Sequence, residues 1–422
     1  MYKIWKNVCP LLRSSLGLVV WSVLWSVSRA SIPVPDSGTW RFVMHLREGV
    51  SLPFIASFSS MDTSWEVTIH NGTEEIRTRE VRVEGDSLVI ALPVFNTAFK
   101  AGMSSSREMQ GYWYNYTRKT VTKIPFEAAW GETNRFGPPV PAKGGTLAPR
   151  YAVVFSPGTA DAYPAVGEFR QKGGWVTGTF LTETGDYRYL EGVFQGRSLK
   201  LSAFDGSHVF LFTAEMQADG SLAGQFYSGS TWIEPWTGVA DPQAALRDPD
   251  SLTYLRPGYD RLAFSLPDVD GRLVSLTDPK YRNKVVIVQL MGSWCPNCMD
   301  ESRLLTQWYE AYHDQGLEIV GLAFERAGDT ARAWQAIQRM KTHLGIPYPV
   351  LLAAVSSDKA GASAVLPMIN QLMAYPTAIY IDRKGRVRRI HTGFAGPGTG
   401  EHHVRFVEQY STFINQLLGE RP

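Results

Sequence analysis

From about Thr39 to Thr237 apolar and polar residues alternate with period two, the spacing that puts every second side chain on one face of a strand. Clear examples are Trp65-Glu66-Val67-Thr68-Ile69, the run 76–83 (IRTREVRV) and Leu88-Val89-Ile90-Ala91-Leu92, with the turn Glu84-Gly85-Asp86 between the last two. The pattern predicts an antiparallel all-β region in two parts, 31–133 and 151–240, which either stand apart or form one domain. Between them residues 134–150 are dense in Gly and Pro and read as a long loop. In the second part a Gly-x-Phe unit recurs at Gly167, Gly178, Gly192 and Gly224, with turn signals such as Asp205-Gly206 and Asp219-Gly220 in between. Short strands at that spacing predict a meander, closed as a barrel or folded as a sandwich, in which Gly relieves crowding and Phe fills the core. The cluster Tyr112-Trp113-Tyr114-Asn115-Tyr116 reads as packing or a strand edge in preference to a binding surface.

The pattern changes after residues 241–258, a polar stretch with prolines at 242, 249 and 257 that reads as an inter-domain linker. Residues 259–420 then alternate strand and helix. Strands are expected at 284–291, 317–324, 348–352, 377–381 and 387–390, and helices at 296–313, 329–344 and 402–417. A hairpin through Asp382-Arg383-Lys384-Gly385 joins the last two strands, and the segment between 352 and 377 is left unassigned. Alternation of this kind predicts a sheet covered by helices on both faces. The fold expected is therefore multidomain: an N-terminal antiparallel all-β region followed by a C-terminal α/β domain.

Residues 1–30 read as a secretory signal peptide. Lys3, Lys6 and Arg13 precede the uncharged run 14–28, and Ser28-Arg29-Ala30 supplies small residues at the positions a signal peptidase reads. The run is short of the roughly twenty apolar residues that span a bilayer, so cleavage is expected over retention as an anchor. Export implies an oxidising compartment, the periplasm or extracytoplasmic envelope of a bacterium. Asn71-Gly72-Thr73 and Asn115-Tyr116-Thr117 match a glycosylation acceptor, which matters only in a eukaryotic secretory route.

Composition excludes some alternatives. Hydrophobic residues make up 44% and charged residues 19% of the 422, which is globular and not disordered. Lys plus Arg number 42 against 40 Asp plus Glu, so bulk charge gives no reason to expect a nucleic-acid partner. The three cysteines are Cys9, which leaves with the signal, and the pair Cys295 and Cys298.

That pair sits in Trp294-Cys295-Pro296-Asn297-Cys298, where an expected strand ends and a helix begins. At a helix N-terminus unpaired N–H groups and the macrodipole favour a thiolate, and Pro296 loses no hydrogen bond in the first turn. Cys298, three residues on, returns to the same face, so one cysteine attacks a disulfide and the other resolves the mixed disulfide, closing Cys295–Cys298. A zinc site would need two more ligands, with only His391, His402 or His403 as candidates. A purely structural disulfide would close a tiny loop and contribute little. Neither a metal nor a cofactor is expected.

Here the sequence resembles the thioredoxin superfamily, in its TlpA/ResA-like branch of thiol-disulfide oxidoreductases, over about residues 257–419. The residues that carry the resemblance are Trp294, Cys295, Pro296, Asn297 and Cys298, then Glu301, then Tyr375-Pro376-Thr377. The resemblance implies a thioredoxin-like fold, a cis Pro376 facing the dithiol, a partner chain running antiparallel to that loop, and Glu301 as the acid/base for the buried cysteine. The Asp that thioredoxins carry six residues before the first cysteine is here Gln289, which cannot titrate. Any proton shuttle therefore falls to Glu301 or to Glu325, for which a solvated loop acid is the favoured account, and Asp300 is expected to complement the helix dipole. The resemblance further implies disulfide-bearing protein substrates, reduction as the direction, a membrane electron donor of the CcdA or DsbD type, and service to cytochrome c maturation or disulfide repair. The rival readings are an envelope binding module whose dithiol senses or tethers, a peroxiredoxin, whose Pro-x-x-x-Thr-x-x-Cys pattern is missing before Cys295, and a Sco-like copper carrier.

Overall fold

The computed structural model describes residues 32–62, 64–117, 120–138 and 145–422. The expected signal segment 1–30, with Cys9, lies outside them.

Nine antiparallel strands between Gly38 and Trp130 form one sheet, in which the first strand, Gly38–Arg47, pairs with both the second and the last, Thr122–Trp130. That pairing rolls the sheet into a barrel-like ring, its open seam between Glu74–Thr78 and Val81–Glu84. The inward positions of the first strand are Trp40, Phe42, Met44 and Leu46, and Phe42 stacks on Phe54 and Phe126 at 5.0 and 5.6 Å. The single strand expected at 76–83 is in fact two. The Val81 N–H donates to the Arg79 carbonyl and the Glu80 N–H to Thr78 Oγ1, so the chain turns a corner there and crosses from one sheet edge to the other. The alternation runs on through the corner because period two holds on both sides of it.

The second sheet also has nine strands, between Arg150 and Ala240. Pairing of Tyr163–Lys172 with Trp175–Thr182 closes eight of them into a barrel, and the two-residue strand Gly185–Asp186 hangs on its rim beside Leu181 and Thr182. Phe169, Phe180, Phe194 and Phe226 of the Gly-x-Phe units all lie in the barrel core. Three of their glycines, 178, 192 and 224, admit the neighbouring strand's backbone: a Cβ at Gly192 would stand 1.9 Å from the Lys200 carbonyl oxygen, and one at Gly224 1.8 Å from that of Thr213.

The barrels share a seam. Phe204 stacks on Phe54 at 4.7 Å, inside the first barrel's core. Asn71 Nδ2 donates to the Phe204 carbonyl at 2.9 Å, and the wholly buried Arg135 donates to Ser202 Oγ at 3.1 Å and Asn71 Oδ1 at 3.2 Å. Asn71, fully buried and committed to these bonds, is closed to a glycan in the folded chain. In the aromatic cluster Trp113 is buried, while Tyr114 and Tyr116 stack on each other at 5.9 Å.

The stretch 241–258 is docked along the C-terminal domain. Leu252 is buried, Asp250 is hydrogen-bonded to His391 and Tyr410, and Thr253 Oγ1 accepts from Thr392 at 2.8 Å. Beyond it a five-stranded sheet has the order Val350–Ala354, Leu317–Phe324, Val285–Met291, Thr377–Ile381, Val387–Thr392. The first three strands are parallel and the other two antiparallel. The helices are α1 (Pro296–Tyr312), α2 (Thr330–Leu344), α3 (Lys359–Val365) and α4 (Glu401–Gly419), giving a thioredoxin-like fold. Helix α3, capped by Asp358 whose Oδ2 accepts from the Gly361 N–H at 2.8 Å, lies in the segment that the pattern left unassigned. Among the described residues no helix is long and apolar enough to cross a membrane.

Candidate functional site

The central strand Val285–Met291 is buried at every position, and its end delivers Cys295 to the N-cap of α1. Pro296 stands in the first turn, where a missing N–H leaves no partner unsatisfied. The Cys298 N–H donates to Cys295 Sγ at 3.3 Å, and the Cys295 S–H donates to the Tyr375 carbonyl at 3.5 Å. Both cysteines are free thiols. Tyr375-Pro376 is a cis peptide, and the loop is held by Thr377 Oγ1 donating to the Ala374 carbonyl at 2.9 Å and by the Gly393 N–H donating to the Pro376 carbonyl at 2.9 Å. Trp294 closes the group: its ring meets Tyr375 edge-on at 5.7 Å and its Nε1–H donates to the Phe324 carbonyl at 2.9 Å.

Glu301 is buried one turn beyond Cys298, and Gln289 Nε2 donates to its Oε2 at 2.8 Å. Burial raises this carboxyl to about 8, against the pull of the Gln289 hydrogen bond. Gln289 also donates to the Cys298 carbonyl at 3.3 Å and accepts from Ser302 Oγ at 3.0 Å. So the residue in the place of the thioredoxin Asp does not titrate; it ties the acid to the helix. Burial, helped by the contact with Cys295 and the nearby Glu301, raises the Cys298 thiol well above the usual range.

Glu325 overturns the expectation of a solvated acid. It is 2% exposed and accepts from the Ser293 N–H at 2.8 Å and Ser293 Oγ at 2.7 Å, fixing the loop that carries Trp294 and Cys295. Burial raises its carboxyl in spite of those two bonds. Asp300 likewise does more than complement a dipole: it pairs with Arg303 at 2.6 Å and with Arg188 of the second barrel. Of the zinc candidates, His391 bonds Asp250 at 2.7 Å, His402 bonds Glu168 at 3.0 Å and His403 bonds the Ala395 carbonyl at 2.8 Å.

Sequence reasoning missed the residues that surround the dithiol from the barrels. Asn297 Nδ2 donates to the Asp186 carbonyl at 3.2 Å, and Ser207 Oγ donates to the Trp294 carbonyl at 3.4 Å. Arg188 is hydrogen-bonded to Glu74 and Asp300 and lies 3.3 Å from Asp205. Burial opposes its charge, yet the carboxylates of Asp300, Glu74, Asp205 and Asp186 together hold the guanidinium well above its ordinary pKa. The one sequence signal was a run of closely spaced glycines, at 393, 396, 398 and 400, on the facing loop. Two clefts of about 820 and 810 Å³ flank the site, one along Pro296, Met299 and the segment 92–95, the other along Trp294, Trp113 and Trp232. Cys295 is a wall of neither.

Residues 257–390 match the AhpC/TSA family. Among curated proteins, a thiol-disulfide oxidoreductase ResA of Geobacillus thermodenitrificans is 28% identical over 130 residues, 31% of this chain and 66% of the relative. The ResA of Bacillus subtilis is 26% identical over 136 residues, 32% of this chain and 67% of that protein. The chain thus spans about two thirds of the length of the curated relatives it matches. Among solved structures, a thiol:disulfide interchange protein of Chlorobium tepidum TLS is similar at 21% identity and a TM-score of 0.30, covering 39% of this chain and 99% of that one. A putative protein disulfide isomerase of Bacteroides thetaiotaomicron is similar at 22% and 0.30, covering 40% and 93%. All of these matches cover at most two fifths of the chain.

Proposed function

We propose that the chain is an exported thiol-disulfide oxidoreductase that reduces protein disulfides with the Cys295/Cys298 dithiol. The observation that supports this most is the setting of Cys295 Sγ, at a helix N-cap with the Cys298 N–H aimed at it and the Tyr375 carbonyl on its other side. Cys295 as thiolate attacks one sulfur of the partner's disulfide; an S–S bond forms to Cys295 and the partner's other sulfur leaves as thiolate, taking a proton from solvent. Glu301, or water, accepts the Cys298 proton, and the new thiolate attacks Cys295 Sγ. The second partner sulfur leaves reduced, and Cys295–Cys298 is oxidised by the same two electrons. A membrane donor of the CcdA or DsbD type restores the dithiol in the periplasm, and reductive repair or cytochrome c maturation is the setting. The β-rich part, 31–240, positions partners, and the dithiol chemistry belongs to 259–420.

The test is a Cys298→Ser chain in its native envelope. Disulfide-linked partners captured on Cys295 support the reading, whereas no adduct together with a wild-type protein inert toward model disulfides sinks it. Equilibration with glutathione decides direction, since a potential near that of strong oxidants would make the protein an oxidase. The match to the AhpC/TSA family favours a second reading, a peroxidase, which steady peroxide consumption through Cys295 would establish. The burial of the dithiol against the barrels favours a third, a binding module with a sensing dithiol, which partner capture unaffected by Cys295→Ser would support.

A further inference from the structure

Thiol-disulfide exchange needs free space around the attacking sulfur, because the incoming disulfide must align with it and bring its own chain alongside. That space is filled here. Cys295 is 7% exposed, Asn297 and Tyr375 each 8%. Beside it, bonded to Asn297, lies the turn 183–188 on the rim of the second barrel, fitted against the glycines of the loop 393–400. A Cβ at Gly393 would stand 3.2 Å from the Gly185 nitrogen, and one at Gly398 2.8 Å from the Arg188 carbonyl carbon. The Gly396 N–H donates to Asp186 Oδ2 at 2.9 Å, and Asn297, between the two cysteines, donates to the Asp186 carbonyl. Arg188 completes the fastening through Asp300, two residues past Cys298.

We propose that the turn 183–188 is a specificity element for the exchange: it occupies the face on which Cys295 meets a disulfide, admits small disulfides through slight movement, and admits folded proteins only after the contacts of Asn297 and Arg188 release. This rests on the oxidoreductase reading above. The contact is held by polar bonds and ion pairs, which keep the withdrawn form rare. Glu183, Thr184, Gly185 and Asp186 are polar or glycine, so withdrawing them exposes little apolar surface, while Tyr187 stays packed edge-on against Phe212 at 5.2 Å in the barrel. Apparent reactivity toward a large partner then scales with the fraction of molecules in which the turn has withdrawn.

The test uses the full chain, reduced, with two pairs of probes: iodoacetamide against a maleimide carried on polyethylene glycol, and hydroxyethyl disulfide against insulin. Two variants loosen the contact. Gly398→Val puts a side chain into the Arg188 backbone from a position with ordinary φ, and Asp300→Asn withdraws one carboxylate from Arg188. In both, the rates with the polymer reagent and insulin rise by about tenfold or more while those with the small probes change by less than about threefold, as expected when a minor open population grows. Thermal melts establish that each variant is folded, and Asp300→Asn decides the matter should Gly398→Val fold poorly. Equal ratios of large-probe to small-probe rates in wild type and folded variants would overturn the proposal. If no variant reduces any disulfide, the oxidoreductase reading falls instead, and the two alkylation rates still decide whether the turn closes the face.

Discussion

Asn297, between the two cysteines, donates its side-chain N–H to the backbone carbonyl of Asp186 at 3.2 Å, across 111 positions of sequence. The dithiol loop is therefore held by the rim of a β-barrel as well as by its own domain. Replacing Asn297 by Ala removes that bond and is expected to cost about 1 kcal/mol. Hydrogen exchange of the backbone amides at 186–188 should quicken several-fold, read by mass spectrometry, while amides of the central strand Val285–Met291 stay protected.

Glu301 gives stability a pH dependence of unusual sign for a carboxylate. Its carboxyl titrates near 4.5 when unfolded and about 8 when folded, so between these values the folded chain binds more protons than the unfolded one. Stability is unaffected by this group below pH 4.5, declines as pH rises to about 8, and by then has lost on the order of 4 kcal/mol at roughly 1.4 kcal/mol per unit. Glu301→Gln should abolish the decline, making the variant the more stable protein at pH 8 and nearly equal to wild type at pH 4, as urea unfolding at the two pH values will show.

Gln289 is the only hydrogen-bond partner described for the Glu301 carboxylate. Gln289→Leu leaves that acid and Ser302 Oγ without their bonds, at a cost of about 2–3 kcal/mol. It also removes the one interaction that lowers the Glu301 pKa, so the pH midpoint of dithiol oxidation in stopped flow should move upward from the wild-type value. A midpoint unmoved by both Gln289→Leu and Glu301→Gln would remove Glu301 from the proton path.

Gly224 tests the barrel. An alanine there must displace the Thr213 carbonyl, 1.8 Å from the new Cβ, and should destabilise by about 2 kcal/mol or more, whereas the same exchange at Gly102, with nothing within 4 Å, should cost little. Denaturation midpoints compare them directly.

The thioredoxin-like part was legible because its signals are local. The strands 317–324 and 377–381 have the bounds that the hydrophobic runs suggest, and the Tyr375-Pro376-Thr377 loop, which only the family resemblance set against the dithiol, accepts the Cys295 S–H at the Tyr375 carbonyl. Glu325 was misread because the Ser293 that hydrogen-bonds it stands 32 positions earlier, and nothing around Glu325 itself distinguishes it from a solvated acid. The corner at Arg79-Glu80 carries neither Gly nor Pro, so it leaves no mark on the alternation. Helix α3, seven residues of mostly small side chains, has no apolar stripe to announce it. How the barrels meet the dithiol depends on pairings such as Asp186 with Asn297 and Arg188 with Asp300, which only the folded chain brings together.

Arg188 draws its carboxylates from three sources: Glu74 in the first barrel, Asp205 in the second and Asp300 on the dithiol helix. The three acids are thus coupled through one cation. A cation lost at 188 strands several buried acids at once, and a thioredoxin-like part grafted from a relative without an acid at position 300 would leave the barrels holding a mismatched charge. A graft that keeps an acid at position 300 would keep the cation's partner on the dithiol helix.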